Sequence, residues 1–197
     1  MSSEPSTPVI FKIVFFGDAK VGKTSLLENC TDRTPVEEYR ATIGVDFYHL
    51  NRTFLNKKIK LQFWDQAGQD RYKANIKELI ARFHAFIYVY DITRYETFEF
   101  LRSQVSVPFE GVREAWSRGE QARRVSSIFL LVGNKVDLSE NDQREVTFEE
   151  GLEFAKDNGF KFFEVSAMEE GSMKELMKNM IWRLFHTYYE DVTSKPR

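Results

Sequence analysis

The residues from Gly17 to Thr24 read Gly-Asp-Ala-Lys-Val-Gly-Lys-Thr and follow the apolar run Val9 to Phe16 directly. Two glycines in this register, with a lysine and a hydroxyl residue next, have the spacing of a loop that cradles phosphates. Glycine lets the backbone close around phosphate oxygens. A helix beginning near Lys23 aims its free N–H groups and the positive end of its dipole at the same oxygens. The Lys23 ammonium supplies a point charge for the β and γ phosphates, and the Thr24 hydroxyl is an oxygen ligand for a Mg2+ ion bridging them. Asp18, Ala19, Lys20 and Val21 form the middle of the loop, with Lys20 expected as a solvated charge, and Ser25 continues the contact set into the helix. A glycine-rich turn before an ordinary helix is the plain alternative; the strand pattern before and the helix pattern after argue against it.

A second constellation, Trp64-Asp65-Gln66-Ala67-Gly68-Gln69, ends the run that starts at Ile59. A carboxylate at a strand end, here Asp65, can hold a metal-bound water. Gly68 lets a backbone N–H approach a terminal phosphate, and Gln69 is placed to orient an attacking water. That N–H has a partner only while the γ phosphate is present, so the loop is expected to order with the triphosphate and loosen on its loss. Asp-x-x-Gly alone often marks only a turn. The third constellation, Asn134-Lys135-Val136-Asp137, follows an apolar strand near Val132. The Asp137 carboxylate can accept two parallel hydrogen bonds from the ring N–H and exocyclic amine of guanine, a pair adenine does not offer. Asn134 would tie loops together and Lys135 would lie along the ring.

These residues need a scaffold that brings loop ends together. Apolar runs alternate with helical patterns: a strand Val9 to Phe16, a helix Lys23 to about Cys30, strands near Val45 to Phe54 and Ile59 to Trp64 joined by a hairpin at Asn56 and Lys57. A strand Ala85 to Tyr90, a helix near Glu96, a strand Ser127 to Val132 and a helix Phe148 to Asn158 follow. A strand Lys161 to Val165 and a helix Met173 to Tyr189 complete the chain. Short, continuously apolar strands between helices predict an α/β fold with a mainly parallel sheet covered on both faces, and the hairpin makes one strand an antiparallel edge. In such sheets ligands gather at the carboxyl ends of the strands, where all three constellations fall.

The 197 residues suit one domain with a substantial core, and 18 phenylalanines exclude a mostly disordered chain. A net charge of −2 gives no reason to expect nucleic acid as a partner. One cysteine, Cys30, fits a reducing compartment and reads as packing. No apolar run approaches spanning length, so a cytoplasmic protein is expected. Residues 1–8 read as a flexible tail, 9–190 as a single domain with an insertion at about 103–127 that carries several arginines, and 191–197 as a short tail. His49, His84 and His186 are too scattered for a metal site. Trp182, Leu184 and Phe185 read as the apolar surface of the last helix, and Phe47 with Trp64 as an aromatic pair divided between core packing and partner contact.

With these motifs in order, the chain resembles the Ras-superfamily small GTPases, most of all the Rab family, through Ile43-Gly44-Val45-Asp46-Phe47, Lys60-Leu61-Gln62-Phe63-Trp64-Asp65 and Tyr90-Asp91-Ile92-Thr93. The resemblance spans about Val9 to Tyr189 and implies a P-loop G domain with a six-stranded, mostly parallel sheet. It implies GTP or GDP bound with Mg2+, with Thr42 as a second metal ligand beside Thr24, and Ser166, Ala167 and Met168 in the loop at the guanine oxygen. It also implies activating proteins, exchange factors and effectors that meet the switch loops, and a role in vesicle trafficking.

Departures from the family pattern carry expectations of their own. Pro35 stands where an aromatic residue usually stacks on the base, and Met168 where a lysine follows Ser-Ala; both changes predict faster nucleotide release. Gln66 replaces a threonine, and Leu79-Ile80-Ala81-Arg82 replaces a tyrosine pair on a surface that effectors read. The C-terminus as given lacks the cysteine that a prenylated Rab uses, so it does not support anchoring by that route, and a fragment of a longer lipidated protein is the other reading. Three functional readings follow: a slow GTP-hydrolysing switch with Gln69 catalytic, a guanine-nucleotide-binding module with little hydrolysis, and a P-loop kinase or ATPase that Asn134-Lys135-Val136-Asp137 disfavours.

Overall fold

The computed structural model describes residues 8–31, 45–66, 83–105, 128–141 and 143–193. Its strands are β1 (Val9–Phe16), β2 (Val45–Phe54), β3 (Lys57–Gln66), β4 (Ala85–Asp91), β5 (Ile128–Asn134) and β6 (Lys161–Val165). Its helices are α1 (Lys23–Cys30), α2 (Tyr95–Gln104), α3 (Phe148–Asp157) and α4 (Lys174–Thr193), with a 3-10 turn at Val136–Asn141. The six strands form one sheet in the order β2-β3-β1-β4-β5-β6. All neighbours are parallel except β2, which runs antiparallel to β3 at the edge.

Two-sided burial explains the continuous apolar runs. Phe11, Ile13 and Phe15 of β1 face the layer of α1 and α4, where they meet Leu26, Leu27, Leu176 and Leu184. Val14 and Phe16 face the opposite layer with Tyr88, Tyr90, Phe98, Leu101 and Ala155. Helices therefore cover both faces, as the sequence predicts.

Several boundaries differ from the sequence expectation. The hairpin turn is Leu55–Asn56, with Phe54 paired to Lys57, and both turn residues have positive φ, 45° and 61°. A two-residue turn of this hand matches the twist of the flanking strands. Lys57 therefore opens β3 instead of sitting in the loop. Strand β5 runs past Val132 to Asn134 because Gly133 and Asn134 pair with Tyr90 and Asp91 on one side and with Glu164 and Val165 on the other. Helix α4 continues beyond Tyr189 to Thr193. Leu184 and Phe185 are buried as expected, but Trp182 is 52% exposed and lies against the His186 ring.

Capping fixes how chains enter the helices near the carboxyl rim. Thr147 and Glu150 form a reciprocal capping box at α3. Arg94, at the start of α2, has no side-chain cap bond; Tyr95 N–H instead donates to Glu145 Oε2 at 2.7 Å.

Candidate functional site: a phosphate loop tied to two base loops

Among the described residues the buried polar side chains are Lys23, Asp65, Asp91, Thr97, Asn134 and Ser166, and all six lie around the carboxyl ends of β1, β3, β4, β5 and β6. Buried polar groups need partners, so their gathering at one rim marks the place where this fold does its chemistry.

The first loop leaves β1 at Gly17. A Cβ built there would lie 2.2 Å from Val89 O, so no larger residue fits between the loop and β4. Gly22 takes φ +93° at the start of α1, and a Cβ there would lie 2.3 Å from Asn134 Nδ2. Asp18 Oδ1 accepts from Ala19 N–H at 2.7 Å, and Lys20 turns the loop at φ 65° with its side chain exposed. Val21 is fully buried and Ser25 half-buried in the first turn. Lys23 folds back across the loop and donates to Gly17 O at 3.0 Å and Asp18 O at 2.7 Å. Burial pushes its pKa down to about 8, opposed by the negative charges of Asp65 and Asp18.

Thr24 meets Asp65 across the rim: its hydroxyl donates to Oδ2. Helix α1 and strand β3 thus bring together two oxygen-bearing side chains, a hard donor set that fits Mg2+. Thr42, Gly68 and Gln69 lie outside the described residues, as do Pro35 and Leu79-Ile80-Ala81-Arg82. Gln66 is the last residue of β3.

Asn134 joins the loops. Its Nδ2 donates to Val21 O at 2.8 Å, and its Oδ1 accepts from Ala167 N–H at 3.1 Å. Asp137 Oδ1 accepts from Ser166 Oγ at 2.6 Å, which fixes the carboxylate plane, and Met168 N–H donates to the same hydroxyl oxygen at 3.0 Å. The Met168 side chain is 63% exposed. Lys135, at φ 72°, places its ammonium on Asp91 Oδ2.

Three residues of this arrangement have roles that motif reading does not assign. Asp91 holds Lys135 while its Oδ1 accepts from both Thr93 N–H and Thr93 Oγ1. Asn29 Nδ2 donates to Ala167 O and Glu169 O, tying α1 to the last loop. Ser172 Oγ accepts from Ser166 N–H at 2.9 Å. An aspartate closing an apolar strand, the last residue of β4 as Asp65 is the last but one of β3, is the trace Asp91 leaves in the sequence. Asn29 and Ser172 leave none.

A mostly parallel sheet with a glycine-built loop at its switch point, tied by one asparagine to the loop after β6, is the architecture of the nucleotide-dependent switches. The chain belongs to the Ras family, whose family model matches residues 12–186. It is similar to Ras-related protein RabC of Dictyostelium discoideum, at 36% identity over 177 residues that cover 88% of this chain and 83% of the relative. It is also similar to Ras-related protein RABC1 of Arabidopsis thaliana, at 32% identity with 94% and 82% covered. Ras-related protein Rab-1 of Theileria parva is 34% identical, with 84% and 70% covered. The protein is a Rab-like, GTP-binding small GTPase. No helix among the described residues is long and apolar enough to cross a membrane.

Proposed function

We propose that this protein is a slow GTP-hydrolysing switch of vesicle trafficking, in which Gly17 to Ser25 hold the phosphates and Asp137, Ser166, Ala167 and Met168 hold the guanine. The observation that carries the reading is the double hydrogen bond of Asn134 to Val21 and Ala167, which makes the phosphate and base loops one rigid cradle. Asp137 presents its carboxylate edge to the ring N–H and amine of guanine. Thr24 and Thr42 would ligate Mg2+, with Asp65 behind a bound water, and the ion would offset charge on the phosphate oxygens.

Gln69 orients the water that attacks the γ phosphorus; the bond to the β–γ bridging oxygen breaks, and GDP and phosphate leave. Loss of the γ phosphate removes the partner of Gly68 N–H and Thr42, and both switch loops let go of their partners. Activating proteins, exchange factors and effectors would read those loops. Intrinsic turnover in such sites is on the order of 10⁻⁴ to 10⁻³ per second.

Single-turnover hydrolysis of pre-bound GTP, run beside Gln69→Leu, tests this. Slow hydrolysis that falls further in the variant is expected. Equal rates in both proteins would remove Gln69 from the mechanism. GTP retained without turnover in either would favour the binding-module reading.

A further inference from the structure

Strand β2 shows different chemistry on its two faces. Phe47 stands 55% exposed against Trp64 on one, while Leu50 and Phe54 turn to the other and meet the layer of α1 and α4. On that second face lies a groove of about 790 Å³. Its floor is formed by Leu50 and Phe54 with Met173 and Met177, and Met168 stands at the end nearest the base loop. Flexible thioethers on an apolar floor suit a surface that accepts side chains from a partner.

The rim is basic. Arg52 lies on the β2 side and Lys174 and Lys178 on the α4 side, against the single carboxylate of Glu170 among the described lining residues. Lys174 and Lys178 are one helical turn apart, where like charges repel. Among the described residues neither makes an ion pair, whereas Arg94, Arg102 and Arg144 each have a glutamate. The groove runs over the face of β2, so an occupant enters by side chains and not by adding a strand. A short amphipathic helix, with apolar residues at i, i+3 and i+7 beside acidic ones, matches the chemistry of an apolar floor with a basic rim.

We propose that this groove is a docking site for an acidic amphipathic helix of a partner protein, whose carboxylates pair with Lys174 and Lys178. Because it occupies the face of β2 opposite Phe47, this partner binds without covering the aromatic pair. The inference goes beyond the switch reading and does not depend on hydrolysis.

The test uses the full chain loaded with GDP and a fluorescent synthetic helical peptide of about 18 residues, with leucines at i, i+3 and i+7 flanked by glutamates. A second peptide carries lysines in place of the glutamates. Anisotropy is expected to show saturable binding of the acidic peptide, weakened about tenfold by Lys174→Glu with Lys178→Glu. The double variant should in turn gain affinity for the lysine peptide. Both substitutions are at exposed positions, and GDP retention with an unchanged melting temperature confirms that the variant is folded. Methyl resonances of Met173 and Met177 should shift on binding. Absence of saturable binding, affinity indifferent to the charge reversal, or shifts confined to the surroundings of Phe47 and Trp64 would overturn the proposal. So would self-association of the chain that the double variant abolishes, which would make a second copy the occupant. Charge-dependent sedimentation with phosphatidylserine vesicles, without peptide binding, would assign the rim to a lipid surface instead.

Discussion

The Lys135 ammonium rests on the Asp91 carboxylate and joins the end of β5 to the end of β4. Asp91 is fully buried, and its other oxygen is taken by Thr93, so the carboxylate holds Lys135 from a fixed position. Lys135 is the residue expected to lie along the guanine ring. Asp91→Asn keeps the size and removes the charge. The variant should release GDP about tenfold faster, the equivalent of roughly 1.4 kcal/mol. Stopped-flow release of a fluorescent GDP measures this, with Lys135→Met as the second arm of a double-mutant cycle. Additive effects would show that the two residues act separately.

Asn134 makes the second relationship testable. Asn134→Ala removes the acceptor of Ala167 N–H and the donor to Val21 O, both in buried surroundings. Each lost bond costs about 1–3 kcal/mol where the partner stays buried. A fall in melting temperature and a loss of GDP affinity of about 100-fold or more are expected. Gly22→Ala should resemble it, since its Cβ would collide with the same Asn134 amide and the residue would be held at φ +93°. Calorimetric titration with GDP decides the matter, and a Gly22→Ala protein that binds normally would count against the cradle.

The strands, both helical layers and the antiparallel edge were legible because β1, β4 and β5 are apolar on both faces and the intervening helices are amphipathic. The loops at Gly17 to Thr24 and Asn134 to Asp137 could be placed at the strand ends because glycine and aspartate chemistry is local in sequence. What stayed hidden is side-chain contact over long separations. Asn29 reaches Ala167 across 138 positions, and no pattern near Asn29 marks it. The hairpin shifted by one residue because the rule that favours asparagine in turns says little about its neighbour, and Leu55 occupies the other left-handed position with its side chain in solvent. Trp182 was assigned to the apolar surface of α4 by residue type, whereas half of it is exposed beside His186.

Lys23 links binding to pH. Its pKa in the folded protein is about 8, below the ordinary value of 10.5, because burial disfavours the ammonium. Between these values the unfolded chain holds more protons, so this residue makes the protein more stable as pH rises from about 8 to 10.5. Phosphate oxygens beside Lys23 would favour its ammonium and raise its pKa. GDP binding above pH 8 should therefore take up a proton, and affinity should fall with pH by up to about tenfold per unit. Titration calorimetry at pH 9 in two buffers of different ionisation enthalpy reads the proton directly. Identical heats in both buffers would place the titration elsewhere.

Met168 offers the last prediction. Its N–H is held by Ser166 Oγ while the side chain stands exposed, so the backbone of the base loop is fixed and the thioether adds no charge beside it. With Pro35 in place of a stacking aromatic, the base is expected to have fewer contacts than in Rab relatives and GDP to leave faster. Met168→Lys and Pro35→Phe should each slow release, by about threefold to tenfold, with the larger gain from the ring because it covers a whole aromatic face. The pair should be near-additive if they act on separate parts of the base. Release measured with excess unlabelled GDP, at fixed Mg2+, tests both. If the unsubstituted protein already releases GDP as slowly as its Rab relatives, other residues hold the base and neither substitution should matter.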